Sequence, residues 1–298
     1  MISGRTRVFG LLGFPVSHSV SPAMHNAAFA ELGLDYVYTA FPVRPERLKE
    51  AVAAVRALDL GGVNVTVPHK ESVGSFLDQL AEEARLIGAV NTIVVQDGRL
   101  VGHNTDAGGF HRSLTEAGFE IAGKKVVLLG AGGAARGASV QLALAGVRRV
   151  VFVNRTVARA EALAALIKRL GGQSAALSWD ENEALEREIT AADLVVQTTT
   201  LGMHPDTESC PPVLPQWLRR GQWVYDMVYN PRQTRFLQMA AEVGALTVSG
   251  AGMLLHQGAL AFELWTGRQA PLDVMRGALE GALNPAQPES DGDNLNLR

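Results

Sequence analysis

The stretch GGVNVTVPHK carries the first residue that could do chemistry, a lysine at position 70 just beyond a strand-like run and a proline. Val63, Val65 and Val67 alternate with Asn64 and Thr66, the period-two pattern of a strand. Pro68 suits the first position of a helix, where its missing N–H has no partner to lose, so the pattern predicts a helix from Pro68 with Lys70 in its first turn. A cation there gains nothing from the positive end of the helix dipole, so Lys70 either faces water or is held for a purpose. Further polar candidates follow apolar runs: Ser17 and Ser19 in GFPVSHSVSPAMHN, Asn91 and Thr92 before a branched run, and Asp106 in GHNTDAGGF. Tyr229 in VYDMVYNPRQT and Gln257 in SGAGMLLHQ complete the set. Hydroxyls, amides, one amine and one carboxylate suit a small ligand rich in hydroxyls better than an aliphatic one. Ser17 and Ser19 can aim two hydroxyls at a carboxylate, although Ser19 and Ser21 serve equally as turn or cap residues, and helix capping competes for Asp106.

A second kind of chemistry is written in VVLLGAGGAARG, where Gly130, Gly132 and Gly133 follow an apolar strand and small residues open a helix. Glycines let the turn tighten and the backbone approach a pyrophosphate, whose charge meets free N–H groups at the helix start. Ala135 stands where the full GxGxxG spacing has its third glycine, which leaves a purely structural turn as the competing reading. The next strand ends in NRTVAR, presenting Asn154, Arg155 and Thr156, with Arg159 one helical turn beyond Arg155. Two guanidinium groups, a hydroxyl and no carboxylate suit a 2′-phosphate, hence NADP and not NAD; the alternative is a solvated basic helix start.

The elements that must position these residues are legible as alternating runs. From Arg7 to His103, RVFGLL, a helical pattern after Ser21, YVYTAF, PERLKEAVAAVRALD and VNVTV read as strand and helix in turn, and NTIVV and RLVG flank the hairpin turn QDG. A second series runs KKVVLLG, RRVVFV, a weak SAALSW, DLVVQT, QWVYDMV and ALTV, and such nearly unbroken apolar strands separated by helices predict a parallel sheet buried on both faces. The fold class is therefore α/β with two domains, one with a mixed sheet and one Rossmann-like. The boundaries fall at 1–105 plus 249–280 for the first, discontinuous domain and 106–248 for the second, with 281–298 expected to be a disordered tail.

Composition narrows the partners. With 27 basic and 30 acidic side chains the net charge is -3, which calls for neither nucleic acid nor an anionic membrane. The single cysteine, Cys210, excludes an internal disulfide and a multi-thiolate metal site, and the seven histidines never take zinc-like spacing, so no metal is expected. No early segment has the basic start and apolar core of a secretion signal, making a cytoplasmic location the default; a monomer and a homodimer both stay open.

Taken in order, SHSVSP, GVNVTVPHK, GAVNTI, GHNTD, GAGGAARG, NRT, DMVYNPRQT and GAGMLLHQ resemble the shikimate dehydrogenase family over about residues 8 to 278. The resemblance implies NADP-linked interconversion of 3-dehydroshikimate and shikimate, a step toward aromatic amino acids. It implies Lys70 and Asp106 as the catalytic pair, Ser17 and Ser19 with Tyr229 on the substrate carboxylate, and Asn64, Thr66, Asn91 and Gln257 around the ring hydroxyls. On the cofactor side it implies Gly130, Ala131, Gly132, Gly133 and Ala134 at the pyrophosphate, and Asn154, Arg155, Thr156 and Arg159 at the adenosine phosphate. It also implies Thr198 and Thr199 in a cofactor loop and Gly250 and Met253 beside the nicotinamide. One departure stands in VVQTTTLGM: Gln197 and Thr200 replace the asparagine and proline frequent in the family, giving an amide of longer reach and a looser loop. The competing readings are a quinate/shikimate dehydrogenase using NAD and a nucleotide-responsive binding protein without turnover.

Overall fold

The computed structural model describes residues 2–283. In its first sheet β1 (Arg7–Gly13) pairs in parallel with β2 (Tyr36–Pro42) and β3 (Gly62–Val65), and α1 (Ser21–Glu31) and α2 (Leu48–Ala57) make the crossovers. The short β4 (Gln79–Leu80) and α3 (Glu82–Ile87) precede β5 (Thr92–Gln96) and β6 (Arg99–His103), which extend the sheet antiparallel to the order β2-β1-β3-β5-β6-β4. The hairpin between β5 and β6 turns at Asp97 and Gly98, whose φ values of 51° and 74° meet the left-handed requirement of a two-residue turn.

The second sheet is parallel throughout. Its elements are β7 (Lys125–Leu129), α5 (Gly133–Leu144), β8 (Arg149–Val153), α6 (Val157–Arg169), β9 (Gln173–Leu177), α7 (Asn182–Thr190), β10 (Leu194–Gln197), β11 (Trp223–Asp226), α8 (Arg235–Glu242) and β12 (Leu246–Ser249). The order β12-β11-β10-β7-β8-β9 sends the chain outward on one side of β7 and then on the other, so the loops after β7 and β10 bound the crevice at the topological switch point. Both faces are packed: Val126, Leu128 and Phe152 meet α5 and α6, and Val127, Leu129 and Val195 meet α7 and α8.

Between and after the sheets lie α4 (Thr105–Ala117), α9 (Ala251–Thr266) and α10 (Leu272–Leu283). Helix α9 packs along α4 and returns to the first sheet, where Leu255, Ala259 and Phe262 join Phe9, Met24, Phe29, Tyr38 and Met275 in one core. The Trp265 indole N–H donates to the Ile93 carbonyl at 3.0 Å, fastening the end of α9 to β5.

Three expectations change. No helix starts at Pro68: pairing with β1 runs on to Thr66, whose N–H donates to the Leu12 carbonyl at 2.9 Å, and the chain then turns, with Thr66 O accepting from His69 N–H at 2.9 Å across a cis Val67–Pro68 peptide. Helical bonding begins only at His69, whose carbonyl accepts from Ser72 and Val73. Gly281 to Leu283, assigned to the tail, complete α10; the remainder of the tail, residues 284–298, lies outside the described residues. Helices α3, α7 and α8 escape the sequence reading because they are short, at six, nine and eight residues. Among the described residues no helix is long and apolar enough to cross a membrane.

Candidate active site

Lys70 is placed by its backbone as well as its side chain. Its carbonyl accepts from Val90 N–H at 2.8 Å, and the His69 ring, buried beneath the turn, reaches the Val43 carbonyl at 2.7 Å. Asn91, next after Val90, takes the Thr105 N–H on its side-chain oxygen at 2.7 Å and so ties the start of β5 to the start of α4. Asn104 caps that helix by accepting from Ala107 N–H at 3.3 Å. Asp106 is thereby released from the capping role and stands in the first turn, where the positive end of the helix dipole meets its charge. Lys70 Nζ donates to Asp106 Oδ2 at 2.7 Å, both side chains being half-buried.

The neighbouring amides have a defined polarity. Asn64 Nδ2 donates to the Asn91 carbonyl at 3.2 Å and to Thr92 Oγ1 at 3.0 Å, while Asn64 Oδ1 accepts from the buried Tyr38 hydroxyl at 2.7 Å. A backbone carbonyl only accepts, which fixes the Asn64 nitrogen; with both its hydrogens committed, Asn64 can offer a ligand only a lone pair. Asn91 Oδ1 accepts from Thr105 and Thr92, and Nδ2 gives one hydrogen to Thr105 Oγ1 at 3.0 Å, leaving one to donate.

These groups line a cavity of about 550 Å³. Ser19, Asn64, Thr66, Lys70, Asn91 and Asp106 form one wall; Tyr229, Gly250, Met253 and Gln257 form a second; Gly133 and Ala134 at the start of α5 form a third. Ser19 also makes the local turn anticipated for it, its Oγ accepting from Ser21 N–H at 3.3 Å. Ser17 is exposed and lies outside the lining. Gly250 is required by close approach, since a Cβ there would lie 2.2 Å from the Met227 carbonyl oxygen.

The glycine turn fits a dinucleotide. Gly130 has φ +113° and faces Thr198, whose hydroxyl a Cβ would approach to 2.6 Å; at Gly132 and Gly133 a Cβ would meet nothing within 4 Å, leaving the orphan N–H groups of the first turn of α5 open to an anion. Thr198 is held by its N–H and hydroxyl, both donating to the Leu129 carbonyl at 2.9 and 2.8 Å, with Thr199 next to it in the loop. Asn154, with its amide donating to the Thr156 carbonyl at 2.9 Å, and the exposed Arg155, Thr156 and Arg159 stand at the end of β8, away from the cavity. Among the buried titratable groups, Asp226 accepts from Val228 N–H at 2.9 Å and the Thr234 hydroxyl at 2.6 Å, and burial pushes its carboxyl up to about 6.

Family models described as the shikimate dehydrogenase substrate binding domain, shikimate / quinate 5-dehydrogenase and the shikimate 5′-dehydrogenase C-terminal domain match residues 11–93, 113–204 and 250–280. Shikimate dehydrogenase (NADP(+)) of Desulforamulus reducens is 52% identical over 279 residues, 93% of this chain and 96% of that protein. The chain belongs to the shikimate dehydrogenase family. The corresponding protein of Methanopyrus kandleri is 51% identical over 280 residues, 93% of this chain and 96% of its own. The crystal structure of shikimate 5-dehydrogenase from Listeria monocytogenes, in complex with shikimate and NAD, superposes with a TM-score of 0.90 at 42% identity, covering 93% of this chain and 98% of that one. Membership in this family accounts for a mixed and a parallel sheet around one cleft. Sequence reasoning left out Tyr38 and Thr105, which hold Asn64 and Asn91; Thr105 stands beside Asp106 in the quoted GHNTD, but nothing marks Tyr38 apart from other strand aromatics.

Proposed function

We propose that the protein catalyses the reversible reduction of 3-dehydroshikimate to shikimate with NADPH, residues 1–105 and 249–280 forming the substrate half and 106–248 the dinucleotide half. The observation that carries this reading is a single cavity bounded by the Lys70–Asp106 pair and its amides on one side and the start of α5 on another. Ser19 and Tyr229 meet the substrate carboxylate with the neighbouring Ser17, which stands outside the cavity lining, and Thr66, Asn91 and Gln257 surround the ring hydroxyls. Asn64, limited to accepting, takes a hydroxyl hydrogen.

The reduced nicotinamide, when bound, supplies a hydride. Lys70 donates a proton from Nζ to the oxygen that becomes the shikimate hydroxyl, and Asp106 holds the ammonium group in line for that transfer and orients the neighbouring hydroxyl. Gly250 and Met253 border the nicotinamide side, Gly130, Ala131, Gly132, Gly133 and Ala134 the pyrophosphate, and Thr198 and Thr199 the facing bank.

NADP in preference to NAD rests on NRTVAR, which sets Asn154, Arg155, Thr156 and Arg159 at the end of β8 with no acid among them. The Arg155→Ala and Arg159→Ala variants and their double mutant, assayed at matched ionic strength, test it through kcat/KM for each cofactor. The double mutant is expected to lose about 10- to 100-fold of its NADP over NAD preference, the scale of a charge-assisted bond. An unchanged ratio overturns the phosphate site and moves the quinate-oxidising, NAD-using alternative forward. That alternative draws on the shikimate / quinate description of the matched model and is separated by initial rates with the two acids. A binding protein without turnover predicts no NADPH formation when shikimate is supplied.

A further inference from the structure

Gln197, the last residue of β10, is fully buried, and the proposed reaction gives it no task. Its whole amide is committed to the loop that follows. Oε1 accepts from Thr199 N–H at 2.5 Å, and Nε2 donates to the carbonyls of Leu201 at 2.9 Å and Thr199 at 3.3 Å. Inside the loop, Thr199 Oγ1 accepts from Leu201 N–H at 3.2 Å. This loop is one bank of the crevice between β7 and β10, and Gly130 is the other. A Cβ on Gly130 would come within 2.6 Å of Thr198 Oγ1 and 2.9 Å of Thr199 Cγ2, so the banks are already in contact. The Gln197 carbonyl, meanwhile, accepts from the N–H of Met227, a residue of the cavity wall, at 3.0 Å.

We propose that Gln197 is a positioning residue for the dinucleotide, its side chain clamping Thr199 to Leu201 against the glycine turn. Exposed Thr200 supplies no such restraint from its own side chain, and the three bonds from Gln197 supply it from beneath. An asparagine at this position is one methylene shorter and so reaches less far toward the Leu201 carbonyl, which the glutamine meets at 2.9 Å. The inference rests on the crevice being the dinucleotide site.

Two variants separate the clamp from mere filling of buried space. Gln197→Met preserves length and volume without hydrogen bonds, and Gln197→Asn preserves the amide without the reach. Titration calorimetry with NADP and, separately, with shikimate reads affinity without turnover, and amide hydrogen exchange reads Thr199 and Leu201. Both variants are expected to bind NADP about 10-fold more weakly, the effect of losing one to two net hydrogen bonds, with shikimate affinity within about twofold and faster exchange at Thr199. A methionine variant with wild-type NADP affinity, equal losses for both ligands, or faster exchange with unchanged NADP affinity would each overturn the clamp. If the methionine variant does not fold, the asparagine variant carries the same expectation alone. Wild-type protein that binds no NADP overturns the dinucleotide reading itself and is distinguished from failure of the clamp by that titration.

Discussion

Lys70 and Asp106 come from positions 36 apart and meet at 2.7 Å because Val90 and Asn91 link the two segments. Replacing Lys70 by methionine keeps the stem and removes the proposed proton donor; kcat is expected to fall about 10²- to 10⁴-fold while NADP affinity measured by titration is unchanged. Near-normal turnover in the folded variant removes Lys70 from the mechanism. Asp226 gives a prediction of a different kind. Its carboxyl titrates at about 6 in the folded protein against 3.8 as its ordinary value, so the folded state holds the proton more tightly. Its contribution to stability is full below pH 3.8 and is lost as pH rises through about 6. Urea unfolding of wild type and Asp226→Asn at pH 4.5 and 7.5 should show wild type losing about 2 kcal/mol relative to the variant over that interval. Parallel stabilities at the two pH values would remove Asp226 as the source.

At the scale of elements, the strands of the second sheet were legible because burial on both faces demands unbroken apolar runs such as VVLL and VVFV. Short helices were not: NEALEREIT and RFLQMAAE span nine and eight residues, little more than two turns, and although each buries one face the segment is too short for its period to stand out in the sequence. Tyr38 was illegible as a site residue for another reason. Its meeting with Asn64 depends on β2 and β3 both pairing with β1 in a particular register, and one residue of slip would turn Tyr38 to the opposite face. Lys70, Asp106, Asn91 and the glycine turn were visible because each sits where an apolar run gives way to polar residues. The junction of β12 and α9 is where packing tolerates least. Gly250 N–H donates to the Val228 carbonyl at 3.2 Å, and the backbone at Met227 lies where a side chain would go. Gly250→Ala should therefore cost about 1–3 kcal/mol by overpacking and weaken shikimate and NADP binding together, since Met227 lines the cavity; unchanged thermal unfolding would contradict that contact.

Across the whole molecule the two sheets differ in how their parts are distributed along the chain. Every strand of the second sheet lies between Lys125 and Ser249 without interruption. The first sheet is complete in strands by His103, yet the core over β1 and β2 is closed by Leu255, Phe262, Met275 and Leu279. During synthesis, then, the half that leaves the ribosome first can pack one face of its sheet by itself, from Leu12 to Leu100, but must wait to close the other. Phe9, Phe29 and Tyr38 stay only partly covered, by one another and α1, until α9 and α10 have emerged, while the second sheet has all its strands earlier. A chain ending at Ser249 should retain protease-resistant fragments from the second sheet and leave residues 7 to 103 open to cleavage, whereas equal resistance of both would contradict this order. The return of α9 to its starting sheet brings Met253 and Gln257 to the cavity only once that helix has emerged, so a polypeptide terminated before it presents a sticky apolar face to chaperones instead of a partly formed site.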